Sequence, residues 1–246
     1  MKSSFRLSII IFFLVPLFSG AMIDTIVIDP GHGGKDPGAV DKRIGLMEKD
    51  INLTIAKYLR QIIKNKLPKM TVHMTRDQDE YVSLNERVQY ANRLARRRGI
   101  FISIHTNSHE NPLGAKKVEG VEVFFYQGTE PEIESARYEG LKKYLTGDYS
   151  DPLEQAVSKL INAKLKIDSR QLATHISEGL KIASNEPVRR VAHASFFVVS
   201  YGIMPAVLVE VGFISSKKFV RQQYQQKIAK GILLGILSFV KEENQF

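Results

Sequence analysis

Cysteine is absent from this chain of 246 residues. Without thiols the protein can form no disulfide bond, no thiolate metal site and no lipid-modified cysteine. Its stability must therefore come from a packed core, and a 43% hydrophobic fraction over this length is sufficient for one domain. The sequence also contains no internal repeat and no low-complexity tract.

Long apolar stretches are equally scarce, and the clearest one runs from Leu7 to Phe18, after Lys2 and Arg6. About a dozen apolar residues, at a rise of about 1.5 Å each, cannot cross a bilayer core of about 30 Å. Small residues follow at positions 19–21, as a signal peptidase requires. We interpret residues 1–21 as a cleaved secretory signal, with a membrane anchor as the alternative. The remaining residues, 22–246, are then a single periplasmic or secreted domain without a stable transmembrane segment.

The formal net charge is +9, which suits an anionic partner such as a cell-wall polymer or lipid head groups. A generally basic surface without a specific partner would give the same charge. No basic and aromatic motif accompanies the surplus, so nucleic acid is not expected as a partner.

Strand and helix patterns alternate along residues 22–246. Apolar runs predict strands at 26–28, 71–75, 101–105, 120–126, 196–200 and 206–210. Helical spacing predicts helices at 51–63, 83–98, 169–183 and the C-terminal segment. The alternation predicts an α/β domain with a mostly parallel or mixed sheet and helices on both faces. The polar segment 127–168 interrupts the pattern and is interpreted as an insertion with one or two helices of its own.

Several predicted strands end on a side chain that can do chemistry. His32 lies in a Pro and Gly loop directly after the first strand, His105 ends a later strand, and Glu210 ends the last one. The carboxyl ends of parallel strands meet at one sheet edge, where α/β folds hold their sites. Together with Glu48, the two histidines provide a ligand set suited to catalytic zinc, with a further carboxylate beside it. The alternative is that these histidines are structural, as most histidines in α/β proteins are.

A second histidine pair, His105 and His109, has the i and i+4 spacing of helical zinc ligands. A strand runs directly into His105, and proline and glycine follow shortly afterwards. Residues i and i+4 do not share a face in such a context, so we exclude His109 from the site. Three further histidines have no matching loop and are interpreted as structural: His73, His175 and His193.

Four ordered motifs cover nearly all of residues 23–240. The first motif runs from Val27 to Ala39 and is followed by Glu48. The second is Thr75-Arg76 with Asp79 and the Leu84, Arg87 and Ala91-Asn92 spacing. The third is Ser103 to Asn107, and the fourth is Pro205 to Ser215. Together they resemble the zinc-dependent N-acetylmuramoyl-L-alanine amidases of the type 3 amidase family. The chain departs from the family pattern at Ser216, where asparagine is usual, and at Arg97-Arg98, which replace a small and an acidic residue.

The resemblance implies a twisted mixed sheet flanked by helices, and a catalytic domain at residues 22–246. It implies that His32, Glu48 and His105 bind zinc and that Glu210 is the catalytic carboxylate. The expected reaction is hydrolysis of the amide bond between N-acetylmuramic acid and L-alanine in peptidoglycan, in wall remodelling or daughter-cell separation. Two alternatives stay open: a zinc exopeptidase that acts on wall peptides, and a catalytically silent wall-binding protein.

Other residues around these motifs have less specific expectations. Asp29 and Asp36 are candidates for orienting histidine ligands, and Asn107 could contact substrate or cap its loop. In the amidases that act in cell separation, a comparable insertion forms a helix over the zinc cleft until an activator protein displaces it. The resemblance therefore implies such a role for residues 127–168, with a surface insertion that shapes the substrate groove as the alternative. The candidate carboxylates are Glu132, Glu134, Glu139 and Glu154, of which Glu139 is favoured.

Overall fold

The computed structural model describes residues 23–95, 98–108, 119–144 and 152–243. The predicted signal segment, Arg97 and His109 lie outside these ranges. Six strands form one sheet in the order β4-β1-β5-β8-β6-β7, and β2 pairs with β3 separately. Within the main sheet, β6 runs antiparallel to β8 and the other neighbours are parallel. The strands are β1 (Thr25–Pro30), β2 (Val40–Asp41), β3 (Leu46–Met47), β4 (Thr71–Met74), β5 (Gly99–Asn107), β6 (Val121–Phe125), β7 (Val188–His193) and β8 (Ala206–Phe213).

Helices cover both faces of this sheet. The helices are α1 (Glu48–Lys66), α2 (Leu84–Leu94), α3 (Pro131–Tyr144), α4 (Pro152–Ser184), α5 (Phe197–Ser200) and α6 (Gln222–Glu243), with a 3-10 turn at Lys217–Val220. Within the described ranges, none of them combines the length and the apolar character needed to cross a membrane.

Strand alternation divides the core into two layers, because successive side chains point to opposite faces. Ile26 and Ile28 of β1 pack with α1, α4 and α6 in the larger layer. Val27 packs with α2 and α5 on the other face, where Phe101 and Leu208 join it. A mixed sheet with helices on both faces is thus confirmed.

The prediction of a strand at 196–200 is wrong, since Phe197–Ser200 is a short helix that buries Val198 and Val199. The strand in this region is Val188–His193, an edge strand whose side chains are largely exposed. Its Val-Arg-Arg-Val sequence lacks the apolar character by which a buried strand is identified, because only one side of the strand meets the sheet.

The helix predicted at 83–98 begins as expected at a capping box, in which Ser83 and Glu86 each bond the other's backbone N–H. It ends earlier, at Leu94. The insertion does contain helical structure, namely α3 and the first half of α4. The second half of α4 is the helix predicted at 169–183, so the insertion continues into it without a break.

Glycines allow α4 and α6 to approach closely. A Cβ atom at Gly235 would collide with the backbone of Ile176, and one at Gly179 would collide with the Gly231 carbonyl. Close backbone contact of this kind tolerates no added methyl group without a shift of one helix.

We expect Gly235→Ala to lower the free energy of unfolding by about 1–3 kcal/mol, because overpacking outweighs the higher helix propensity of alanine. Urea denaturation measures the change. Gly202→Ala is the matched control, since its new Cβ would have no neighbour nearer than 3.7 Å. Equal stability of the two variants would contradict the close packing of α4 and α6.

Candidate metal and catalytic site

Three predicted ligands come together at the carboxyl edge of the sheet. His32 follows β1, His105 lies near the end of β5, and Glu48 begins α1. Their ligand atoms all lie within 4.8 Å of one another, and they are the one such group found among the described residues. The helix dipole stabilises a negative charge in the first turn of a helix, so it favours the ionised form of Glu48, which is the form that binds a cation.

The Glu48 carboxylate is the centre of this group. Its Oε1 atom lies 3.2 Å from Nε2 of His32 and 3.0 Å from Nδ1 of His105, and it accepts the backbone N–H of Thr106 at 3.1 Å. Its Oε2 atom accepts the backbone N–H of Ala39 at 2.9 Å. Burial tends to raise the pKa of Glu48, but hydrogen bonds with the two histidines hold it far below its ordinary value. The group therefore presents an ionised carboxylate to a cation.

His32 is held in one orientation from the other side of its ring. Its Nδ1 atom lies 2.8 Å from Oδ2 of Asp36, while the second oxygen of Asp36 accepts the Gly38 N–H. This contact directs Nε2 toward Glu48, as a residue behind a metal-binding histidine does. Burial lowers the pKa of His32, but Glu48 and Asp36 together raise it above the ordinary value.

The loop that holds His32 is fixed by two buried arginines. Arg76 donates to the carbonyl oxygens of Pro30 and Gly31, at 3.0 and 2.9 Å. Arg87 donates to the carbonyl oxygens of Pro30 and His32, both at 2.7 Å. His32 has a φ of 61°, a left-handed conformation that costs a residue other than glycine free energy. The guanidinium groups hold the backbone in that conformation.

Asp29 anchors this arrangement beneath the loop. Its carboxylate accepts hydrogen bonds from Arg87, Thr75 and Ser103 at 2.6, 2.5 and 2.7 Å. Burial alone would raise the pKa of Asp29, but Arg87 and the two hydroxyl donors lower it below the ordinary value. Asp29 therefore acts on the His32 loop through Arg87 and makes no direct contact with a ligand ring.

Glu210 lies beside the ligand group as the register partner of His105 on β8. Register partners on adjacent strands point to the same face, so the two side chains are neighbours. The Oε2 atom of Glu210 is buried and has no hydrogen-bond partner among the described residues. Burial, followed by the charges of Glu48 and Glu122, raises the pKa of Glu210 to about 8. An orphaned carboxylate oxygen next to a ligand set fits a cation and water between them.

Asn107 serves its own loop and its neighbour on β6. Its side-chain oxygen accepts the N–H of Ser108 at 2.8 Å, and its Nδ2 donates to Glu122 at 3.0 Å. Sequence reasoning missed Glu122 because it lies inside an apolar strand without a loop motif. Glu122 is paired with Glu210 in the register of β6 and β8, and this pairing can be seen only in the folded structure.

The other described histidines lie away from the ligand group. His73 is near Tyr90, His175 is 2.6 Å from Glu242, and His193 accepts the backbone N–H of Gln127 at 3.0 Å. These contacts agree with a structural interpretation.

The helices of the insertion lie at the opposite end of the sheet. Phe125, the last residue of β6, pairs with Val207 near the start of β8, so the chain enters the insertion far from Glu210. Glu134 accepts a hydrogen bond from Asn162 of α4. About two turns later on α4, the hydroxyl group of Ser169 accepts the backbone N–H of Ala206, the first residue of β8. Helix and strand rises place the Glu134 carboxylate about 20 Å from Glu210.

The expected covering helix is therefore not found at the cleft among the described residues. Glu132 and Glu139 are exposed on α3, and Glu134 is engaged by Lys166 as well as Asn162. Glu154 lies in the first turn of α4, about two turns before Asn162. Regulation through the insertion stays a prediction, but these four carboxylates do not reach the ligand group in this arrangement.

A family model described as N-acetylmuramoyl-L-alanine amidase matches residues 26–238. The probable N-acetylmuramoyl-L-alanine amidase AmiB of Haemophilus influenzae is 32% identical in an alignment of 228 residues that covers 87% of this chain and 52% of that protein. AmiA of Escherichia coli is 30% identical, over 87% of this chain and 75% of its own length. The chain thus spans about half of the first relative and three quarters of the second.

Solved structures show the same fold. The crystal structure of an N-acetylmuramoyl-L-alanine amidase from Clostridium difficile 630 superposes with a TM-score of 0.65 at 26% identity, over 90% of this chain and 98% of that one. The CwlD amidase of Clostridioides difficile, solved in complex with the GerS lipoprotein, gives a TM-score of 0.66 at 26% identity, over 89% and 99% of the two chains.

We expect Asp36→Ala to weaken metal binding by about 10-fold to 100-fold, because the residue behind a histidine ligand fixes its tautomer and ring orientation. Competition with a chromophoric chelator measures the affinity. Asp77→Ala removes an equal charge from a residue that pairs with Arg60 at 3.6 Å, and it is the control. Equal metal affinity of the two variants would contradict the orienting role of Asp36.

Proposed function

Because the chain belongs to the N-acetylmuramoyl-L-alanine amidase family, we propose that it hydrolyses the amide bond between N-acetylmuramic acid and L-alanine in peptidoglycan, with zinc as cofactor. One observation carries this proposal: the ligand group of His32, Glu48 and His105 lies beside Glu210, whose Oε2 atom is buried and unpartnered among the described residues. Binding groups and an acid-base group thus occupy one sheet edge.

The residues present fit zinc rather than a harder cation. Two imidazoles and one carboxylate are typical ligands of catalytic zinc, which keeps a further position open for water or substrate. His32 would bind through Nε2, His105 through Nδ1, and Glu48 through its carboxylate. The ion supplies Lewis-acid polarisation of the scissile carbonyl and makes water acidic enough to deprotonate near neutral pH.

Glu210 would move the proton of the reaction. Its Oε2 atom accepts a proton from the attacking water and returns it to the departing nitrogen of L-alanine. Burial and the charges of Glu48 and Glu122 raise the pKa of Glu210, which favours the protonated carboxyl group that the second step requires. The charge of a bound cation opposes this rise and favours the first step.

The proposed setting is the cell envelope. The apolar segment from Leu7 to Phe18 supports export, and the peptidoglycan substrate lies outside the cytoplasm. We propose that the protein acts in wall remodelling or daughter-cell separation and that an activator protein controls its activity. The GerS complex of a relative supports the idea of a protein partner. We propose that the activator protein contacts the insertion at 127–168. The described helices of the insertion lie at the opposite end of the sheet from Glu210, so binding there would have to change the cleft through the sheet.

The direct test is digestion of purified peptidoglycan with the zinc-loaded protein, followed by mass spectrometry. The proposal predicts free stem peptides that begin with L-alanine and glycan strands without peptides. A chelator should abolish their release, and added zinc should restore it. Release of single amino acids would indicate the exopeptidase instead, and intact wall after digestion would indicate a silent wall-binding protein.

We expect Glu210→Gln to reduce turnover by about 10²-fold to 10⁴-fold, because an amide of nearly equal shape cannot accept the proton of water. Zinc content and thermal stability should stay close to those of the wild type. Glu139→Gln is the matched control, since this exposed glutamate lies on the insertion, far from the cleft. Near-normal turnover of zinc-loaded Glu210→Gln would reject the acid-base role, and higher activity of Glu139→Gln would support inhibition by the insertion.

A further inference from the structure

A row of polar side chains continues from the metal ligands across the sheet edge. His105 of β5 is paired in register with Glu210 of β8, and Glu210 is paired with Glu122 of β6. Arg189 of β7 follows, at a register shift beside Glu122. Adjacent strands lie about 4.8 Å apart, so Arg189 stands about 10 Å from Glu210, on the side away from the ligand group.

Glu122 holds this end of the row in place. Its carboxylate is buried, and each oxygen has a different partner. Oε2 accepts a hydrogen bond from Asn107 at 3.0 Å, and Oε1 accepts one from Nε of Arg189 at 3.3 Å. Both oxygens of Glu122 are therefore engaged in holding neighbouring side chains, whereas Oε2 of Glu210 has no partner among the described residues.

Arg189 is positioned from three sides. Nε is bound by Glu122, and Cζ lies 5.4 Å from the centre of the Phe213 ring. At Gly120 a Cβ atom would come within 2.8 Å of the Arg189 side chain, so glycine leaves room for it there. The Arg189 side chain is nevertheless 42% exposed, and its one hydrogen bond in the part of the chain that the structure describes is the bond from Nε to Glu122.

An arginine held through Nε, with no hydrogen bond from its terminal nitrogens to the described residues, is arranged to bind a carboxylate with two parallel hydrogen bonds. The proposed substrate supplies such groups, since peptide stems carry free carboxylates beyond L-alanine. An extended peptide covers about 3.3–3.6 Å per residue, so 10 Å corresponds to the second or third residue of the stem.

We propose that Arg189, anchored by Glu122, binds a carboxylate of the stem peptide two or three residues beyond the scissile bond and thereby determines substrate preference. This inference rests on the proposed amidase function and adds a specificity residue to it. Arg189 contacts neither the metal ligands nor the reacting atoms, so its contribution falls on substrate binding.

The test compares purified disaccharide tripeptides that carry free carboxylates with counterparts amidated at the second residue alone or at the third residue alone. The wild type should have a KM about 10-fold or more lower for the free form than for one of the amidated forms, as expected of charge-assisted hydrogen bonds. The amidated position that weakens binding identifies the carboxylate.

Arg189→Ala should remove this preference by raising KM for the free form, with little change in kcat. Arg189→Lys should restore part of it, because lysine keeps the charge but lacks the planar fork. Arg170→Ala removes an equal charge at the opposite end of the sheet and should leave the preference intact. Thermal unfolding confirms that each variant is folded.

Calorimetric titration of the released free tripeptide into wild type and Arg189→Ala gives a readout independent of turnover. Weaker binding to Arg189→Ala than to Arg170→Ala supports the inference. If the wild type cleaves the substrates without preference, or if Arg189→Ala keeps the wild-type preference, the inference is wrong and the amidase function stands. If the wild type releases no peptide from any substrate, the proposed function fails and the inference fails with it.

Discussion

The buried ion pair between Asp29 and Arg87 is the interaction on which the site depends. It joins the end of β1 to α2, with Oδ1 of Asp29 only 2.6 Å from the guanidinium of Arg87. The same guanidinium donates to the carbonyl oxygens of Pro30 and His32, so one arginine binds both the end of β1 and the loop that follows it. Loss of one partner of a buried pair costs about 3–5 kcal/mol, because the other charge stays buried without compensation. The position of His32 is thus coupled to the stability of the fold.

The sheet then distributes chemically different groups along one edge. Strand register brings His105, Glu210 and Glu122 onto one face, so their order follows from strand order rather than from loop conformation. Each carboxylate differs in its partners: Glu48 is surrounded by donors and stays ionised, while Glu210 lacks a partner among the described residues and has a raised pKa. Similar side chains can therefore bind a cation, move a proton or anchor an arginine.

Most of the central sheet and the ligand group could be predicted from the sequence, because buried strands that end in a histidine or a glutamate leave strong local patterns. The edge strand at 188–193 could not, since its exposed arginines give no apolar signal, whereas the apolar run at 196–200 predicts a strand where the chain forms a short helix. Glu122 and Arg189 were missed for the same reason: their roles arise from strand pairing. The placement of the insertion followed from the antiparallel direction of β6, which neither composition nor spacing reveals.

Anomalous diffraction at the zinc edge from crystals of the zinc-loaded protein tests the convergence of the three ligands most directly. The account predicts one strong peak per chain, within bonding distance of Nε2 of His32, Nδ1 of His105 and the carboxylate of Glu48, and next to Oε2 of Glu210. Bond lengths near 2.0–2.2 Å would identify these three residues as ligands. A peak elsewhere, or zinc bound without one of these three side chains, would contradict the account.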